Sequence, residues 1–167
     1  SSAASEAFLT GLGVKVWKNV RVTNYDGRTV TTNSDVTFET ATVIWTAGVQ
    51  GAAIRGLKAE ALLEKVERIK VNEFNQVKGY EDIFAIGDIA LMETPDYPLG
   101  HPMMAQPAIQ QGQLLGDNLI KLIGGRIMSP FQYHDKGSMA TIGRNLAVVD
   151  LPKYHFNGIF AWFVWMF

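Results

Sequence analysis

The sequence predicts a mixed α/β fold, and three observations carry that prediction. Of its 167 residues, 47% are hydrophobic and 19% are charged, enough apolar material to bury a core and too little charge for disorder. Short β-branched runs alternate with turn signals over much of the chain, and one long segment keeps helical spacing. One or two small domains are expected at this length.

Ser5 to Leu12 can form one or two helical turns ended by Gly11 or Gly13. Val14, Val16, Val20 and Val22 then open a β-rich region reaching about residue 46. Asp26-Gly27 is a hairpin signal between Val20 to Asn24 and Arg28 to Thr32, and Asn33-Ser34-Asp35 turns the chain again before Val36 to Thr40, so a meander is predicted. Thr42 to Thr46 (TVIWT) reads as a strand buried on both faces, stopping at Ala47-Gly48, where the glycine permits close backbone approach. Gly51 to Glu67 is mixed. Arg68 to Val71 and Ile83 to Ile86 read as two further strands, and Ala90 to Pro102 as a proline-rich loop.

The long helix is predicted from about Met104 to Ile123, with Ala105, Ala108, Ile109, Gly112, Leu115, Leu119 and Leu122 as its packed face. Pro107 suits its first turn and Gly124-Gly125 its end. Phe131 to Asp135, Ser138 to Ile142 and Leu146 to Asp150 predict a second small meander, with turns at Lys136-Gly137 and at 143–145. Ile159 to Phe167 is almost wholly apolar. As a helix it is too short to span a bilayer and, with Trp162 and Trp165, suits a membrane interface; packing on the second meander is the alternative.

Charge excludes one class of partner. Fifteen basic residues against 16 acidic, a net charge of -1 and no run of either sign leave no footprint for nucleic acid. Without cysteine the chain holds no disulfide, thiolate metal site or redox thiol, so redox chemistry must come from a cofactor. His101, His134 and His155 lack metal-ligand spacing, and no metal is expected. Ser1 to Thr10 has neither a basic n-region nor an apolar core, and reads as the middle of a helix; the chain is expected to begin inside a larger protein.

Phe84 to Asp88 (FAIGD) puts a carboxylate just past a predicted strand end, where open α/β sheets bind their ligands. Asp88 could accept hydrogen bonds from sugar or ribityl hydroxyls beside the permissive Gly87. Alone, such a pair is more often a turn or helix cap; the proline-rich loop and long helix that follow give it force. Gln106 and Gln110 lie one helical turn apart and can offer uncharged donors and acceptors to a polar ring, although glutamines on a helix are usually solvated. Gly112 and Gly116 suggest a closely packed backbone. Lys136, at a glycine turn, reads by itself as a solvated loop charge.

In chain order, TVIWTAGV (42–49), RIKVNE (68–73), VKGYEDIFAIGD (77–88), AQPAIQQG (105–112) and KGSMATIGRNLAVVD (136–150), continuing through FNGIFAWFVWMF, resemble type II, non-proton-pumping NADH dehydrogenases. The AIGD segment is shared by many two-dinucleotide flavoproteins; AQPAIQQG together with KGSMATIGR is more specific. The resemblance implies parts of two Rossmann-like domains for FAD and NADH plus the start of a C-terminal membrane-anchoring domain, at 1–48 (end of the NADH domain), 49–128 (FAD domain) and 129–167. It further implies that Asp88 with Gly87 holds the FAD ribityl chain, that Ala105 and Gln106 meet the isoalloxazine edge, and that Lys136 approaches the ring, where a cation stabilises the reduced anion. Ala47 and Gly48 would form the crossover near the cofactors, and Gln106 and Gln110 would border a quinone pocket. The implied enzyme is a homodimer attached peripherally to the cytoplasmic face of the inner membrane.

Two departures are visible: neither glycine-rich phosphate-binding fingerprint is present, and the apolar segment stops early. The chain by itself is therefore expected to be an inactive, self-associating piece. A ferredoxin reductase or sulfide:quinone reductase is the alternative parent, the latter disfavoured by the absence of cysteine.

Overall fold

The computed structural model describes residues 2–34, 36–52, 54, 56–63 and 67–166; Asp35 of the second predicted turn and Phe167 of the apolar end lie outside them. The chain forms two compact units, Ser1–Thr46 with Lys136–Phe167, and Ala47–Asp135.

In the first unit α1 (Ser2–Gly11) precedes an antiparallel meander of β1 (Val22–Tyr25), β2 (Thr29–Thr32) and β3 (Thr37–Glu39). The predicted hairpin forms because the Asp26 carboxylate accepts the N–H groups of Arg28 and Thr29 at 2.8 and 2.7 Å, closing an Asx turn. Those two bonds also hold the Asp26 carboxyl below its ordinary pKa. Val30 on the central strand is buried. The stretch 14–21 is not strand, so the β region starts later than predicted.

A second antiparallel meander, β7 (Ser138–Thr141), β8 (Ala147–Asp150) and β9 (His155–Gly158), belongs to the same unit. Ala147, Val148 and Val149 of the central strand are buried, and α3 (Ile159–Met166) lays Ala161 and Trp162 on Ala147 and Val149. The third strand is therefore β9, not Phe131–Asp135 as predicted. A tight turn in which Leu151 and Tyr154 exchange backbone bonds brings β9 back at little loop-closure cost, whereas Phe131 is tied to Glu73 in the other unit. The opposite side of α3, with Phe160, Phe163, Trp165 and Met166, is exposed. Among the described residues no helix is long and apolar enough to cross a membrane.

The predicted doubly buried strand at Thr42–Thr46 does not form: the segment is irregular, with Ile44 82% and Trp45 64% exposed. A strand exists only through its neighbours, and among the described residues none pairs with it.

The second unit is built on β4 (Leu62–Leu63), β5 (Arg68–Lys70) and β6 (Ala90–Leu91), with β4 antiparallel and β6 parallel to β5. Ala61, Ile69, Val77, Ala85 and Ala90 form its core, flanked by Leu57, Leu62, Val71, Tyr80, Ile83 and Ile89. Ile83–Ile86, predicted as a strand, contributes one isolated bridge at Phe84. The backbone of Ala85 is taken instead by Asn75, fully buried, whose carbonyl accepts its N–H at 3.0 Å and whose amide donates to its carbonyl at 3.1 Å. The parallel pairing falls to Ala90–Leu91, inside the stretch predicted to be loop.

Helix α2 (Ala105–Ile123) has nearly its predicted bounds. It ends in a Schellman motif: Gly125, at φ 68°, donates to Leu122 O, and Arg126 donates to Lys121 O. Its buried residues are Pro107, Gln111 and Asn118, while Ile109, Leu119 and Leu122 of the predicted apolar face are 37–54% exposed. The helix is thus anchored on its unit by amides rather than by an aliphatic stripe. Asn118 receives Ser129 N–H and donates to Ser129 C=O, both at 2.8 Å.

Candidate functional site

The predicted Gly87-Asp88 site is a single 3-10 turn over Gly87–Ile89, seated against the N-terminal half of α2. Gly87 has φ 71°, a conformation that disfavours any side chain, and a Cβ there would lie 3.3 Å from Ala108 Cβ. Its N–H donates at 2.7 Å to Oε1 of Gln111, which is 1% exposed. Asp88 follows with its side chain exposed, and its carboxylate accepts no hydrogen bond among the described residues. The buried Arg68 guanidinium feels it electrostatically. Burial pulls the Arg68 pKa down, and attraction to Asp88 opposes that effect. Arg68 itself donates to the carbonyls of Ala90 and His101, tying together the strand and loop that follow the turn.

In the first turn of α2, Ala105 is exposed and Gln106 is half-buried, with an amide that makes no hydrogen bond among the described residues. A free carboxylate and a free carboxamide are chemically suited to a neutral polyol chain and a polar ring. One accepts hydroxyl hydrogens, and the other both donates and accepts without adding charge. Gln110 is engaged otherwise: Nε2 donates to His134 O at 2.9 Å, and Oε1 receives His134 N–H at 3.0 Å. It pins the extended segment 131–134 to the helix.

That segment walls a cavity of about 390 Å³ together with Thr94, Tyr97 and His101. His101 is buried among Tyr97, Phe131 and Tyr133, with both ring nitrogens unpartnered among the described residues. Burial first, and the Arg68 charge second, keep its pKa below the ordinary imidazole value.

Among the predicted residues, then, Gly87 meets α2 directly, and Asp88, Ala105, Gln106 and Gln110 share its unit. Ala47 and Gly48 begin that unit as an exposed irregular segment, with Gly48 at φ 89°. Lys136 is exposed and belongs to the other unit. Sequence reasoning missed Gln111 and Arg68. The former had a signal, since Pro107, Gln111 and Asn118 keep the four- and seven-residue spacing of one helix face.

The fold is that of two-dinucleotide-binding flavoproteins, and the chain belongs to the pyridine nucleotide-disulphide oxidoreductase family, whose pattern it matches over residues 1–112. Among curated relatives, the type II NADH:quinone oxidoreductase Ndh of Mycobacterium tuberculosis is 34% identical over 96% of this chain and 35% of the relative. NdhA of the same organism is 32% identical over 95% and 35%, and the type II NADH:quinone oxidoreductase of Staphylococcus epidermidis 31% over 81% and 33%. The chain thus spans about a third of the length of the curated relatives it matches. In three dimensions it resembles NDH2 from Plasmodium falciparum, solved in complex with NADH, with a TM-score of 0.80 at 18% identity over 99% of this chain and 50% of that one. The sulfide:quinone oxidoreductase of Aquifex aeolicus superposes with a TM-score of 0.70 at 15% identity, over 97% and 42%.

Proposed function

We propose that the chain forms part of a type II NADH:quinone oxidoreductase and supplies one wall of its flavin site. The names of its relatives, the order of the sequence motifs and the shared fold support this reading. One observation carries it at the residue level: the Gly87-Asp88 turn is fixed against α2 while its carboxylate is left exposed with no hydrogen bond of its own. On this reading 1–48 end the NADH domain, 49–128 belong to the FAD domain and 129–167 begin the C-terminal domain.

FAD bound there would supply the redox chemistry between NADH and a quinone. The residues hold and orient. Asp88, with Gly87 beside it, would hold the ribityl hydroxyls, Ala105 and Gln106 would border the ring, and Ala47 and Gly48 would line the crossover. By the family resemblance, Lys136 would approach the flavin ring. Gln106 and Gln110 would border the quinone pocket, Gln110 also holding the 131–134 segment. The exposed side of α3 attaches the protein peripherally to the cytoplasmic membrane face, and the whole protein is a homodimer.

The 167-residue chain alone is inactive on this reading, because a single wall cannot retain a dinucleotide without its phosphate-binding loop. In the whole protein Asp88→Ala should weaken FAD retention about tenfold or more, the loss of hydrogen bonds to a charged acceptor. Unchanged affinity would reduce Asp88 to part of a turn. Stoichiometric flavin on the isolated chain after gel filtration would contradict the one-wall reading.

A further inference from the structure

We infer that Gln111 is a positioning residue for Asp88, an inference that rests on the flavin-site reading above and adds to it the group that sets the carboxylate's place. Three observations meet here. Gln111 is 1% exposed, and its Oε1 receives the Gly87 N–H at 2.7 Å, so the acceptor is fixed within the unit and shielded from water. The 3-10 turn that Gly87 opens has no side-chain cap on its preceding residue, Ile86, so this bond from α2 stands in for one. The turn and the helix also fit closely: a Cβ on Gly87 would meet Ala108 Cβ at 3.3 Å.

Gly87 at φ 71° needs an external constraint, because glycine loses more conformational freedom on ordering than any other residue. With the N–H held, the backbone of Asp88 follows one residue later, and its carboxylate is presented with no hydrogen bond to any described residue. Gln111 thus fixes the backbone that carries this acceptor. The ligand chemistry it serves is a chain of neutral hydroxyls, which an ordered carboxylate receives with less loss of freedom than a mobile one.

The test uses the whole protein stripped of flavin and titrated with FAD and with an FAD analogue lacking the ribityl hydroxyls. Gln111→Met keeps the side-chain length and removes the acceptor. It should weaken FAD binding about tenfold, the scale of one lost hydrogen bond, and leave the analogue's affinity unchanged. Asp88→Ala should show the same selectivity. Equal weakening of both ligands by Gln111→Met, or of neither, overturns the positioning role. If Asp88→Ala itself leaves FAD affinity unchanged, the flavin-site reading fails instead. A second measurement serves if Gln111→Met does not fold: Gly87 N–H exchange in the 167-residue chain should be slow, and exchange at the unprotected rate overturns the inference.

Discussion

Replacing Asn118 by alanine removes two hydrogen bonds at once, since its amide donates to Ser129 C=O and receives Ser129 N–H, each at 2.8 Å. Asn118 is fully buried and Ser129 partly so, and water has little access to the groups left behind. At about 1 kcal/mol for each bond, with some further cost for incompletely solvated partners, the expected loss is about 2–4 kcal/mol. Gln110 offers an internal control on the same helix, because it makes the same two-bond clamp with His134 in an exposed setting. There water can replace the side chain, and Gln110→Ala should cost about 0.5–1 kcal/mol. Urea unfolding of the 167-residue chain, followed by far-ultraviolet circular dichroism, reads both variants. Equal losses, or a larger one for Gln110→Ala, would refute the claim that burial sets the worth of these clamps.

Other predictions concern single contacts. Gly137→Ala should lower stability by at least about 1–2 kcal/mol, because φ is 84° and a Cβ would lie 2.4 Å from Asp150 O and 2.7 Å from Leu151 Cα; an unchanged melting temperature would contradict it. His101 has a depressed folded-state pKa, so the unfolded chain binds its proton first and stability is lost as pH falls through and below 6.5. His101→Phe, filling the same aromatic nest, should therefore show a smaller drop in urea midpoint between pH 8 and pH 5, and an identical drop would show that His101 does not titrate out of register. Trp165→Ser on the exposed side of α3 should abolish binding to anionic liposomes while moving stability by less than about 0.5 kcal/mol. Retained binding would exclude that face as the membrane contact.

Elements set by local chemistry were legible in the sequence. The Asp26 turn, the Gly124-Gly125 helix end and the β7–β8 hairpin each follow from a side chain or glycine acting within a few residues. What was not legible depends on distant partners. Thr42–Thr46 has the composition of a buried strand yet pairs with no described strand. Ile83–Ile86 lost its ladder to the buried Asn75, and no apolar pattern reports where one asparagine amide will bond. The site divides in the same way. Gly87, Asp88 and Gln106 could be singled out as candidates because glycine and polar groups at a strand end or helix start leave a sequence signature. Gln111 was passed over because glutamine is usually exposed, and only its spacing from Pro107 and Asn118 marks it as buried. The aliphatic stripe Ile109–Leu119–Leu122 was given the buried role that the amides hold.

Anaerobic stopped-flow spectroscopy of the whole protein tests the proposed function most directly, because it separates reduction by NADH from reoxidation by quinone. NADH should bleach the flavin absorbance, a quinone should restore it, and Gln106→Ala should slow the second step more than the first. A bound flavin that NADH leaves oxidised, or a reduced one that quinone does not reoxidise, would contradict the proposed function.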